Sequence, residues 1–130
     1  MKLKTGAILM GLALLLSACP APDYDGVTVT GTIDLTAVGT GGTCYVVLQN
    51  DVYAVVAETS GAYAAGGTLP YTLGNVLQGS YYLYVWLDYG AGDAVPDEER
   101  YYGSGILPNP PASPNVTVPF SGTVTVNLSF

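Results

Sequence analysis

From residue 27 onward, apolar and polar side chains trade places with a period of two, the spacing of a strand that buries one face. Val27, Val29, Ile33 and Leu35 alternate with Thr28, Thr30, Thr32 and Asp34. Gly31 takes a position on the apolar face, where a glycine marks a bulge or the close approach of another backbone. The end of the chain repeats the pattern, with Val124, Val126, Leu128 and Phe130 set against Thr123, Thr125, Asn127 and Ser129. Between these ends the pattern predicts strands over 44–48, 52–57, 71–73, 81–87 and 116–118, with Asn50-Asp51 closing a tight hairpin between the first two. No stretch carries a helical period. About seven short strands broken by glycine and proline predict an all-β fold, a single antiparallel β-sandwich of transthyretin-like or immunoglobulin-like kind over residues 27–130. A chain of this size buries roughly two-thirds of its unfolded surface, enough for one independent core.

The pattern before residue 27 is of another kind. Lys2 and Lys4 precede a run of mostly apolar residues, 7–16, which is too short for a spanning helix of about 20 residues. A basic start, a short apolar run and small residues after it read as a secretory signal. The run ends Leu16-Ser17-Ala18-Cys19, which resembles the lipobox of bacterial lipoproteins. That resemblance implies removal of residues 1–18 and attachment of fatty acyl chains (palmitate and its like) to Cys19. Two or more acyl chains hold a protein stably to a bilayer where one does not. Residues 19–26 would then form a lipidated tether, and Pro20 to Gly26 reach at most about 25 Å when fully extended. Pro20 stands where some bacteria place an inner-membrane retention aspartate, which favours the outer membrane or cell surface.

The charge balance narrows the function further. The chain carries a formal net charge of −7 and has no histidine. Without residues 1–18 it keeps one cation, Arg100, against ten acids, a net charge of −9. Such a chain cannot bind a nucleic-acid backbone, whose affinity comes from lysine and arginine displacing counterions. An anionic lipid surface would not hold it by charge either. With neither histidine nor a lysine beyond Lys4, most acid–base and nucleophile-activating arrangements are missing, and the expectation is a protein that is not an enzyme.

A second resemblance concerns the domain itself. Tyr71-Thr72-Leu73-Gly74-Asn75-Val76-Leu77-Gln78-Gly79-Ser80-Tyr81-Tyr82 looks like the signature of carboxypeptidase regulatory-like domains, and Val27 to Ile33 resembles their opening strand. Leu77-Gln78 replaces the usual Pro-Ala, and residues 90–115 have no counterpart. The resemblance implies a transthyretin-like sandwich that serves as a structural or interaction module.

Two places have chemistry to offer. Along 81–89 parity puts Tyr81, Leu83, Val85, Leu87 and Tyr89 on a core face and Tyr82, Tyr84, Trp86 and Asp88 on the other. Tyr82, Tyr84 and Trp86 make an aromatic stripe with polar tips, suited to a sugar ring or a partner protein, or else to cross-strand packing that stabilises the sheet. The stretch 88–100 holds half of the ten acids, with glycines that permit sharp turns. Asp88, Asp93 and Asp97 are the candidate ligands of a calcium ion there, against the alternative of a solvated loop. Cys44 reads as a buried small hydrophobe. The patterns Asn115-Val116-Thr117 and Asn127-Leu128-Ser129 match a glycosylation acceptor by chance.

These observations lead to the expectation of a membrane-anchored surface lipoprotein of the bacterial envelope, acting as a structural or protein-interaction module. The alternatives are a carbohydrate or small-ligand module using the Tyr/Trp face, and a calcium-stabilised subunit of an envelope assembly. Expected partners are the membrane, through the lipid, and an envelope protein or glycan. No cofactor is expected other than calcium in the last case.

Overall fold

The alternation at the start of the domain becomes β1 (Val27–Asp34), in a computed structural model that describes residues 26–89, 93, 96–102 and 111–130. It is followed by β2 (Gly42–Gln49), β3 (Val55–Tyr63), β4 (Thr68–Val76) and β5 (Gly79–Asp88). Then come β6 (Glu98–Tyr101), β7 (Val116–Val118), β8 (Thr123–Thr125) and β9 (Leu128–Ser129), with no helix among the described residues. The signal segment 1–18, Cys19 and the tether up to residue 25 lie outside the described residues.

One sheet has the order β4-β1-β8, with β9 also on β1; the other has the order β3-β2-β5-β6, with β7 also on β5. Their inner faces supply a single core. Val29, Ile33 and Leu73 from the first sheet and Cys44, Val46, Leu48, Leu83, Val85 and Leu87 from the second are fully buried in it. The molecule is an all-β sandwich, and Tyr81, Leu83, Val85 and Leu87 face inward as their parity predicts.

Among the described residues the strands number nine against the seven expected. One addition is β6, where Glu98-Glu99-Arg100-Tyr101 pairs antiparallel with β5. Its charged sequence has no alternation to betray it. The other comes from a break in the terminal strand. There Val126 N donates to Thr30 O (2.8 Å), Asn127 Oδ1 accepts from Thr32 N (2.9 Å), and Phe130 N donates to Asp34 O (3.0 Å). A side-chain amide thus stands in for a backbone carbonyl where the ladder is interrupted. The sandwich is also not wholly antiparallel, since β8 and β9 both run parallel to β1.

Gly31 marks close packing. A Cβ there would sit 1.8 Å from the carbonyl oxygen of Val126, so the crossing of the terminal strand admits no side chain. The same carbonyl accepts a hydrogen bond of 2.7 Å from the buried Tyr71 hydroxyl. Burial holds that phenol well above the ordinary tyrosine range.

The hairpin after β2 is built by Asn50. Its Oδ1 accepts from Val52 N (3.1 Å) and Ala54 N (2.9 Å), and its backbone carbonyl accepts from Tyr53 N (3.0 Å). Tyr53 adopts a left-handed φ of 60°. The turn therefore consumes residues 50–54 and β3 starts at Val55, not at Val52 as the pattern suggested.

β5 changes neighbours part-way along, pairing with β7 at 79–81 and with β6 at 84–87. Asn115 fills the junction. Its backbone N–H donates to Tyr81 O (2.9 Å), its Oδ1 accepts from Leu83 N (2.9 Å), and its Nδ2 donates to Tyr102 O.

Candidate functional site

Because Cys44, Val46 and Leu48 point into the core, Tyr45, Val47 and Gln49 point out, as do Tyr82, Tyr84, Trp86 and Asp88 on the adjoining β5. The register sets Tyr45 opposite Trp86, Val47 opposite Tyr84 and Gln49 opposite Tyr82. On the far side of β5, Tyr101 pairs with Tyr84 and Glu99 with Trp86. On the far side of β2, Ser60 pairs with Tyr45 and Glu58 with Val47. The outer face of the five-stranded sheet is thus aromatic across three strands.

The expected stripe separates into two parts. Tyr82 is only 5% exposed, because Tyr53 from the hairpin (5.1 Å between centroids) and Tyr101 (6.2 Å, edge-on) cover it. Tyr84 lies 5.0 Å from Tyr101 and donates to Glu99 Oε1 at 2.6 Å; Tyr101 donates to Gln49 Oε1 at 3.1 Å. Burial, with the Glu99 carboxylate behind it, pushes the Tyr84 phenol far up, and burial likewise raises Tyr82 and Tyr101. These hydroxyls stay protonated donors, and this part is a packed layer that stiffens the sheet.

Trp86 belongs to the other part. Its ring stacks on Tyr45 with centroids 3.7 Å apart and planes 4° from parallel. Both residues are half-buried. Since β2 lies between β5 and β3, the second face of the Tyr45 ring is turned toward β3, across an open groove of about 400 Å³. Tyr45, Val47 and Trp86 form its aromatic and apolar side, and Glu58, Ser60 and the backbone at Thr59 its polar rim, since Thr59 pairs with the inward-facing Val46. A volume of this order suits a small ligand. The arrangement offers a flat π-surface beside one carboxylate and one hydroxyl.

The acidic stretch is not one loop. Asp88 ends β5 and is buried, Asp93 is exposed, and Glu98 and Glu99 are drawn into β6. Asp97 is tied to the end of β5, its N–H donating to Leu87 O (2.8 Å) and its Oδ2 accepting from Tyr89 N (2.7 Å). Glu98 makes an ion pair of 3.3 Å with Arg100. Among the described residues no three carboxylate, thiol or imidazole groups converge as a metal site would require. Cys44 is buried with a free thiol, whose pKa burial pushes up to about 12, so it is inert toward nucleophilic chemistry at neutral pH.

Of the predicted aromatic residues, the groove takes Trp86 alone, and Tyr82 and Tyr84 belong to the packed layer. Tyr45, Glu58, Ser60 and Tyr101 did not emerge from the sequence. Parity within 44–48 would have put Tyr45 outside, but only the register makes it the partner of Trp86. Comparison with protein-family models, with curated proteins and with solved structures finds no match.

Proposed function

We propose that this chain is a non-enzymatic lipoprotein of the bacterial envelope, anchored through Cys19, whose sandwich binds a neutral saccharide in the groove between Tyr45 and β3. The observation that carries the reading is the stacked Tyr45–Trp86 pair walling a groove of about 400 Å³ rimmed by Glu58 and Ser60. A pyranose has one apolar face for an aromatic ring and a girdle of hydroxyls. The Glu58 carboxylate and the Ser60 hydroxyl can pair with that girdle, while Glu58 and the absence of a cation among the described residues of the groove disfavour an anionic ligand. The lack of histidine, and of any lysine beyond Lys4, supports binding without catalysis. The lipobox-like Leu16-Ser17-Ala18-Cys19 supports the anchor.

The test is a glycan array probed with the exported chain and its Trp86→Ala variant. Neutral oligosaccharides are expected to be retained by the wild type and bound at least about tenfold more weakly by the variant, a loss of about 1.4 kcal/mol. No retention, or retention indifferent to Trp86→Ala, overturns the reading. Envelope protein captured through the same face would return the domain to a protein-interaction role.

A further inference from the structure

Among the described residues the exposed large apolar side chains are Val52, Tyr53, Val55, Val56, Leu77 and Phe120. The strand register brings all of them to one end of the sandwich. Val27 at the start of β1 pairs with Val76 at the end of β4, with two residues between it and the start of β5. At that start Gly79 pairs with Val118, the last residue of β7, and Thr123, which opens β8, pairs with Thr28. Gln49, the last residue of β2, pairs with Val55 on one side and Tyr82 on the other. The connections 50–54, 77–78 and 119–122 therefore cluster around Gly26, the point where the chain enters the domain.

The acids gather at the other end. Asp34 ends β1, Asp88 pairs with Thr43 at the start of β2, and Glu98 pairs with Leu87, while Asp93 and Asp97 lie in the connection between β5 and β6. Glu58 and Glu99 sit within strands, so Asp51 is the one acid of the described residues at the apolar end. The molecule is polarised along its strands, apolar where the chain enters and acidic where it is farthest from that point.

We propose that the apolar end seats on the lipid bilayer, with Val52, Val55, Val56, Leu77 and Phe120 entering its interfacial region. The inference rests on Cys19 as the lipid attachment point. The tether then starts in the bilayer and ends at Gly26, reaching at most about 25 Å. A ten-residue strand spans about 33 Å, so the acidic end lies beyond the tether's reach and the apolar end faces the membrane. Singly, exposed apolar side chains are ordinary; grouped from three connections beside a membrane tether they form an interfacial patch. Among the described residues Asp51 alone of the acids lies at this end and no cation does, so apolar insertion drives the docking and anionic headgroups do not strengthen it. Trp86 lies two residues from the far end of β5, which leaves the groove on the side of the sandwich and clear of the bilayer.

The mature, acylated full chain tests this with single cysteines placed by Leu77→Cys, Val52→Cys or, at the acidic end, Ala37→Cys, each labelled with an environment-sensitive fluorophore. Cys44 is buried with its thiol pKa at about 12 and Cys19 is acylated, so only the introduced thiol reacts. In phosphatidylcholine vesicles the labels at 77 and 52 are expected to shift to the blue and to be quenched severalfold by brominated acyl chains, while the label at 37 is untouched. Replacing part of the lipid with phosphatidylglycerol is expected to leave that quenching no stronger. Equal, weak quenching at all three positions on an acylated chain overturns the docking and leaves the anchor standing. Energy transfer between labels at 77 without bromine quenching assigns the patch to a second copy instead. A chain whose mass shows no acyl groups removes the anchor and the inference with it.

Discussion

Replacing Tyr82 and Trp86 by alanine separates the two parts of the aromatic face, because these neighbours of like type occupy unlike surroundings. Tyr82 is 5% exposed and covered by Tyr53 and Tyr101. Removing a large aromatic from such a site costs about 3–5 kcal/mol through lost transfer and the cavity left behind. Trp86 is half-buried and its principal neighbour is Tyr45, stacked at 3.7 Å. A stacked pair contributes about 0.5–1.5 kcal/mol beyond its buried area, so Trp86→Ala is expected to lose roughly 1–2 kcal/mol. The cycle of Tyr45→Ala and Trp86→Ala should return a coupling of about 0.5–1.5 kcal/mol. Urea unfolding followed by far-UV circular dichroism measures all of these, provided the m-value stays unchanged. The ranking Tyr82→Ala well above Trp86→Ala, with saccharide retention lost in the latter, is the signature of a packed layer beside a binding groove. If Trp86→Ala destabilises as much as Tyr82→Ala, the whole face is packing and the groove is not reserved for a ligand.

Asn115→Ala strands the N–H of Leu83, whose side chain is fully buried, and should lower stability by about 1–3 kcal/mol in urea unfolding. Asn115→Asp keeps the acceptor for Leu83 but sets a carboxylate oxygen against the Tyr102 carbonyl, so it should destabilise as well; unchanged stability in both variants would refute the junction role. Stability should be flat from about pH 6 to 8, since beyond Lys4 the chain has neither lysine nor histidine. Above that, the Cys44 thiol, pushed up to about 12 by burial in the folded chain, ionises first in the unfolded chain, and its contribution begins to be lost as pH passes the ordinary thiol value of about 8.5. Tyr71, Tyr84 and their neighbours have folded pKa values raised by burial, so the unfolded chain loses these protons first. Their contribution is complete below about pH 10 and lost as pH rises above it, at about 1.4 kcal/mol per pH unit for the buried Tyr71. A stability that changes between pH 6 and 8, or holds unaltered to pH 12, contradicts this sign.

How far the sequence foretells the molecule follows from which signals are local. Parity is local. The strands at 27–35 and 81–87 and their inward faces were legible because Val29, Ile33, Leu83, Val85 and Leu87 carry their own period of two, whereas the run 52–57 misplaced the start of β3. β6 was hidden because Glu98-Glu99-Arg100-Tyr101 forms a strand only by virtue of an open edge on β5, which is a property of its partner. Asn115 and Asn127 match a glycosylation pattern in the sequence, and in the fold both spend their side-chain oxygens on backbone N–H groups of distant strands. The groove follows the same logic. Trp86 could be placed on an outer face from its own strand, but its stacking on Tyr45 depends on a register between β2 and β5. The rim of Glu58 and Ser60 depends on a second register, between β2 and β3. The apolar end is the extreme case. Val52, Leu77 and Phe120 are separated by long stretches of chain, and each alone is an unexceptional exposed residue. They acquire a common meaning only when strand order gathers their connections beside Gly26, with the acids of 34, 88 and 98 at the opposite pole. Chemistry written into one strand could be read from that strand, whereas surfaces assembled from several connections had to wait for the topology.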